Sequence, residues 1–318
     1  MNLYPMKLRP VLKDIIWGGT RLANEYGKAA PNQKVAESWE LCVHPNGVNI
    51  IENGEYAGRT LEELFNLNRS IVSADYRAEK FPVMIKFIDA AQSLAVQVHP
   101  DDYYAAINEG GELGKTEMWY IIDCIPGAQI VYGLNADYTG QQLAEHIEAG
   151  TFESCLNYVS VSPGDVFFIP SGLIHAIGSG ILLAEVQQNS DTTYRMYDYN
   201  RPDADGKLRE LHVKQALDVC KKTKSEYINN RQQAGTILSK CEYFSVYKGT
   251  VRRSNVFGEF GKGYNSVICL GGEGEIIHNG AVYSLKKGDS YFIPAGMGGY
   301  TFNRITDVDF ILTTLGEG

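Results

Sequence analysis

Gly164-Asp165-Val166-Phe167-Phe168-Ile169-Pro170-Ser171-Gly172-Leu173-Ile174-His175 is the stretch on which the fold turns. It reads as a strand, a Pro-Ser-Gly turn and a return strand that opens with a histidine. The phrase recurs as Gly288-Asp289-Ser290-Tyr291-Phe292-Ile293-Pro294-Ala295-Gly296-Met297-Gly298-Gly299, where six of twelve positions are identical. Internal similarity of this kind points to two copies of one β unit. Where the first copy has His175 the second has Gly299, so any chemistry is expected in the first copy and an architectural part for the second.

The bulk of the chain agrees with a turn-rich β protein. Its 318 residues include 33 glycines and 20 tyrosines, and only 21% are charged. A length of this order suits two domains. The polar run from Lys221 to Gln233 reads as the linker, which places a first domain at residues 1–230 and a second at 231–318. A formal net charge of −9 argues against nucleic acid or an anionic membrane as partner. No signal-peptide pattern and no membrane-length apolar run is visible, and no protein partner is evident. The six cysteines are scattered without a Cys-x-x-Cys spacing, as expected of reduced thiols in a cytoplasmic protein.

Upstream of His175, Val96-Gln97-Val98-His99 alternates with period two, so Gln97 and His99 project from one face. Pro100 ends that strand, and Asp101-Asp102 mark a turn and helix start. Glu117 opens a second strand, Met118-Trp119-Tyr120-Ile121-Ile122, and Lys115, two residues earlier, shares its face. An amide oxygen, an imidazole and a carboxylate, with His175 as a further candidate, suit a borderline divalent ion. Lys86 interrupts an apolar strand, either as an edge residue or aimed at an anionic ligand. Glu37, in Ala36-Glu37-Ser38-Trp39-Glu40, is read as facing solvent, with a pocket as the alternative. Thr60 and Thr139 look like helix N-caps, and Leu208 to Cys220 carries helical periodicity. His44, His212 and His278 lack company and default to structural parts, His146 to the surface, and Tyr197 is given no role.

Short strands with Gly/Pro turns and the repeated Gly-Asp…Pro-x-Gly phrase resemble the cupin jelly roll, a mainly β barrel or sandwich, here with a second cupin-like β domain and a few short helices. Further phrases sharpen the likeness: Trp17-Gly18-Gly19, Ala36-Glu37-Ser38-Trp39-Glu40, Val96 to Asp102, Gly114-Lys115-Thr116-Glu117-Met118-Trp119-Tyr120, and Glu185-Val186-Gln187-Gln188-Asn189-Ser190-Asp191-Thr192-Thr193-Tyr194-Arg195. Together they resemble the type I mannose-6-phosphate isomerases in their compact bacterial form. The resemblance implies one zinc held by Gln97, His99, Glu117 and His175, and Arg195 at the catalytic arginine position. Lys86, Lys115 and Glu185 fall where relatives line the substrate pocket. The implied reaction is the interconversion of mannose 6-phosphate and fructose 6-phosphate, the sugar phosphate being the only partner implied. The short span between Glu117 and His175 leaves no room for the helical domain that fungal and animal relatives carry there.

One position departs from the family. Relatives commonly have serine two residues before the metal-binding glutamine, where it helps to hold phosphate; this chain has Ala95, whose methyl cannot donate a hydrogen bond. Aldose–ketose isomerisation through an enediol also needs a base, and Glu185, a metal-bound water and Lys115 all qualify. Two other classes compete: a redox-metal oxygenase, and a non-catalytic cupin that binds a metal or sugar as a regulator.

Overall fold

Strands dominate the computed structural model, which describes residues 2–202, 205–227, 237–252, 255–257 and 263–316. Two sheets carry the first β unit. One runs in the order Leu156–Ser160, Gln129–Leu134, His175–Ile177, Val96–Val98, Tyr194–Tyr197. The other runs Val166–Ile169, Glu117–Cys124, Ile181–Gln188, Val83–Ala90, Glu37–Leu41, Val11–Lys13. All pairings within these sheets are antiparallel.

Alternation along the second sheet sorts its side chains. Ile85, Phe87, Met118, Tyr120, Ala184 and Val186 pack in one core, against Phe244, Val246, Ile268 and Phe292 of the C-terminal strands. Their neighbours Ile88, Trp119, Ile121 and Leu183 pack in another, with Ile130 and Ile177 of the facing sheet. Side chains two apart on a strand share a face. Lys86, Glu117 and Glu185 therefore point with Ile88, Trp119 and Leu183 into the space between the sheets. The outer face of the first sheet, Val96, Val98, Ala176 and Tyr194, is covered by Leu143 and Ala216 from two helices.

The second β unit pairs a four-stranded sheet with a seven-stranded one, around a core that includes Val267, Tyr291, Phe302 and Phe310. The seven-stranded sheet also takes in Met6–Arg9 from the start of the chain, with Met6 opposite Phe292. The repeat is visible in the backbone. Gly164 (φ 91°) matches Gly288 (φ 90°), and Gly172 (φ 81°) matches Gly296 (φ 75°), a left-handed region that glycine enters without steric cost. Asp165 accepts a hydrogen bond from the Ser162 amide (2.8 Å), as Asp289 does from Lys286 (3.0 Å). The domain boundary expected near residue 230 lies outside the described residues.

Among the described residues, five short α-helices complete the architecture. Leu61–Leu67 and Gly140–Glu148 start with full capping boxes, Thr60 with Glu63 and Thr139 with Gln142, as the sequence suggests. Asp101 caps Asp102–Asn108 by accepting from the Tyr104 amide. The helix expected over Leu208 to Cys220 is shorter, Val213–Val219. Residues before it are drawn into extended contacts: the His212 amide donates to the Arg195 carbonyl (2.8 Å), and Arg195 Nη1 donates to the Glu210 carbonyl (2.8 Å).

Candidate active site and metal centre

Strand register assembles the centre. Gln97 lies between His175 on one neighbouring strand and Arg195 on the other. Across the sandwich, Glu185 lies between Lys86 and Trp119, and Gln187 faces Glu117. His99 follows the last residue of its strand rather than lying in it, because the strand closes at Val98 ahead of Pro100. Its carbonyl accepts from the Gly172 amide of the Pro-Ser-Gly turn (2.9 Å), which ties it to the phrase that carries His175.

Ligand atoms of His99, Glu117 and His175 lie within 4.8 Å of one another, and all three residues are buried. His99 Nε2 is 3.1 Å from Glu117 Oε1 and 3.1 Å from His175 Nε2, while His175 Nε2 is 3.7 Å from Glu117 Oε2. Each imidazole has its Nδ1 against a backbone carbonyl, Thr192 for His99 (2.9 Å) and Leu173 for His175 (2.8 Å). A carbonyl only accepts, so the proton of each neutral ring sits on Nδ1 and both Nε2 lone pairs face the shared point. Burial, then the Lys115 charge, pushes His99 down to about 3, and burial also lowers His175. Burial works to raise Glu117, but Lys115 and the two histidines outweigh it and hold the carboxylate well below its ordinary range. Both carboxylate oxygens are buried without a well-formed hydrogen bond. Two converging lone pairs beside a buried carboxylate that has the Lys115 ammonium at Oε1 (3.0 Å) but no donor at Oε2 fit a cation. Gln97 Nε2 is 3.4 Å from His175 Nε2. A half-turn of its amide, equivalent in shape, presents the oxygen to the same point.

Beside this group lies a cavity of about 320 Å³, within the ~300–1,000 Å³ span of small-molecule sites. Gln97, Lys86, Lys115, Glu185 and Arg195 all line it, so the structure brings the sequence-derived candidates together. Lys115 Nζ is 3.0 Å from Glu117 Oε1. Lys86 Nζ is 3.2 Å from Glu185 Oε1 and 3.7 Å from Glu37 Oε2. Burial opposes the Lys86 charge, yet the carboxylates of Glu37 and Glu185 outweigh it, and the ammonium stays protonated. Glu185 is pushed up by burial and by Glu117, against the pull of Lys86. Trp119 Nε1 donates to Glu185 Oε2 (2.8 Å), whereas Oε1 is buried without a hydrogen bond.

Glu37 corrects the solvent-facing reading. It lines the cavity, accepts from Trp39 Nε1 (2.7 Å) and pairs with Lys86. Asp191, Thr193 and Arg209 also line the wall, and sequence reasoning singled out none of them. Arg209 was hidden inside the overlong helix; Asp191 and Thr193 sit within a motif read only for its first glutamate and its final arginine. His212 keeps its structural part, its Nδ1 accepting from the Arg195 amide (3.2 Å). His278 Nδ1 donates to the Gly299 carbonyl (3.0 Å), at the position that replaces His175. All six cysteines are free thiols.

Fold and site together define a cupin protein with a buried, cation-suited His-Glu-His centre beside a polar cavity. The description "Phosphomannose isomerase type I, catalytic domain" matches residues 6–120, and "Mannose-6-phosphate isomerase, cupin domain" matches residues 234–304. A mannose-6-phosphate isomerase of Bacillus subtilis is 44% identical over 304 residues, 94% of this chain and 95% of its own length. The corresponding protein of Streptococcus mutans is 38% identical over 94% of this chain and 95% of its own. The crystal structure of a Bacillus subtilis mannose 6-phosphate isomerase superposes with a TM-score of 0.88 at 36% identity, covering 98% of this chain and 99% of that one. The chain belongs to the type I phosphomannose isomerase family of enzymes. No helix among the described residues is long and apolar enough to cross a membrane.

Proposed function

We propose that the chain interconverts mannose 6-phosphate and fructose 6-phosphate in the cytoplasm, with one zinc ion held by Gln97, His99, Glu117 and His175. The observation that carries this reading is the convergence of three buried ligand atoms within 4.8 Å beside a cavity lined by Lys86, Lys115, Glu185 and Arg195. The ion would supply Lewis-acid stabilisation for the oxygens of the open-chain sugar.

The chain's own residues carry the rest. Isomerisation through an enediol moves a proton between C2 and C1, which needs a group able to take and return it. Glu185 suits that task, because Trp119 anchors Oε2 while Oε1 makes no hydrogen bond and has only the Lys86 ammonium, at 3.2 Å, beside it. Its raised affinity for protons makes it a better relay at neutral pH than an ordinary carboxylate. Lys86, protonated and 3.2 Å away, keeps Glu185 in place and contributes positive charge to the wall. Arg195 adds a fixed cation for negative charge on the enediolate or the phosphate, since a guanidinium is a poor base. The second β unit, residues 231–318, serves an architectural part, with Gly299 where the first copy has His175.

A coupled assay for fructose 6-phosphate tests the reading. Steady turnover of mannose 6-phosphate supports it; tight sugar phosphate binding without turnover points instead to a non-catalytic regulatory cupin.

A further inference from the structure

We propose that Arg209 is a second guanidinium on the phosphate monoester of the substrate and that Asp198 is the residue that positions it, a pair that takes over from the hydroxyl missing at Ala95. The inference rests on the isomerase reading above.

Ala95 and Arg209 line the same cavity, together with Arg195, Thr193 and Lys115. Arg209 is fixed by a two-pronged contact with Asp198, Nε to Oδ2 and Nη2 to Oδ1, both 2.6 Å. This contact leaves Nη1 outside the pair. Arg201 Nη2 donates to the same Asp198 Oδ1 (2.9 Å), so one carboxylate serves two guanidinium groups and the cluster keeps excess positive charge. Arg195 adds to that excess. Its Nη1 is taken by a neutral carbonyl, of Glu210, and its Nε is buried without a partner. Arg195, Arg201 and Arg209 thus outnumber the carboxylates of Asp198 and Glu210 around them, and Arg195 Nε lacks a hydrogen-bond partner, so this part of the wall suits a phosphate monoester of charge about −1.5 to −2 at neutral pH. Lys115 is less free to serve, because its ammonium lies 3.0 Å from Glu117.

The backbone shows how this arrangement is held. After the strand Tyr194–Tyr197 the chain passes Asp198 and turns through Tyr199 (φ 56°) and Asn200 (φ 48°), both left-handed. Such a conformation is costly for a tyrosine and persists where the surroundings enforce it. Here the turn brings Arg201 back onto Asp198, and Arg201 Nη1 donates to the Ser93 carbonyl (2.9 Å), two residues before Ala95. Pro202 is bridged antiparallel to Leu208, the residue before Arg209.

Four variants test the assignment: Arg209→Ala, Arg209→Lys, Asp198→Asn, and Ala95→Ser in the Arg209→Ala background. Steady-state kinetics give kcat and KM for mannose 6-phosphate, and titration calorimetry with inorganic phosphate gives anion affinity without turnover. Losing a hydrogen bond to a charged group predicts a rise of about 10- to 100-fold in KM and in the phosphate dissociation constant for Arg209→Ala, with kcat changed by less than about threefold. Arg209→Lys recovers part of the loss, Asp198→Asn moves both constants in the same direction, and the added serine restores some affinity. An Arg209→Ala protein with unchanged KM and phosphate affinity overturns the assignment, as does a fall in kcat with KM unmoved. If the alanine variant fails to fold, the lysine variant decides through the same two constants. A wild-type protein that binds inorganic phosphate but does not turn over mannose 6-phosphate defeats the isomerase reading, while the calorimetry still judges Arg209.

Discussion

Arg195 combines two conditions that make a guanidinium useful: fixed geometry and incomplete pairing. Its backbone is locked to His212 in both directions, and one nitrogen donates to Glu210, leaving Nε buried and unpartnered. Removing one preorganised electrostatic contact typically costs ~2.7–4 kcal/mol of barrier. Arg195→Ala is therefore expected to lower turnover by about 100- to 1,000-fold while metal analysis finds the same metal content; near wild-type turnover refutes the assignment. Glu185→Gln keeps the shape and the Trp119 contact but removes the proton relay, so kcat should fall by at least about 100-fold. Much at this scale was legible. Gln97 and His99 share a face because strands repeat every two residues, and His175 stood out because its counterpart is a glycine. Glu37 misled, since alternation says which residues share a face but not which face is wet. Arg209 was invisible because helical periodicity extends back through it, whereas its side chain is claimed by Asp198 and the flanking backbone by Arg195.

Capping and charge decide at the scale of elements. Thr60 accepts from the Glu63 amide (3.2 Å) while Glu63 accepts from the Thr60 amide (3.0 Å). Thr60→Ala should cost ~0.5–2 kcal/mol in chemical denaturation, with kcat unaltered. The loop after Tyr194–Tyr197 makes a pH-dependent prediction. Burial opposes ionisation of Asp198, but Arg209 and Arg201 outweigh it and hold the carboxyl below its ordinary value of 3.8. A group lowered by folding contributes stability that is present above its unfolded value and is lost as pH falls through the folded one. Asp198→Asn should thus be less stable than wild type at neutral pH, and the gap in melting temperature should close as pH falls below 3.8; a gap constant with pH refutes this. The capped helices were readable because Thr-x-x-Glu/Gln names its own hydrogen bonds. The true start of the helix at Val213 was not, because tertiary contacts and not local preference set it.

Across the whole molecule, the repeat told of two β units, but not that Met6–Arg9 would join the sheet of the second. A short strand carries no mark of its distant partner. Where the units meet, Lys28, its side chain 5% exposed, lies 2.7 Å from the fully buried Glu40 and also donates to the Gly288 carbonyl at the start of the second repeat phrase. Breaking a buried pair from one side leaves an uncompensated charge, at ~3–5 kcal/mol. Lys28→Ala should lose about that much in urea unfolding, and a loss under about 1 kcal/mol tells against a buried pair. On the proposed reading, the side chains that meet between the first two sheets hold a cation on which turnover depends. The most direct test is to strip the protein with a chelator, return zinc in steps, and measure bound metal and mannose 6-phosphate turnover together. Stripped protein should be inactive, and turnover should rise in proportion to bound zinc and saturate at one ion per chain; full turnover in metal-free protein would rule out a catalytic cation.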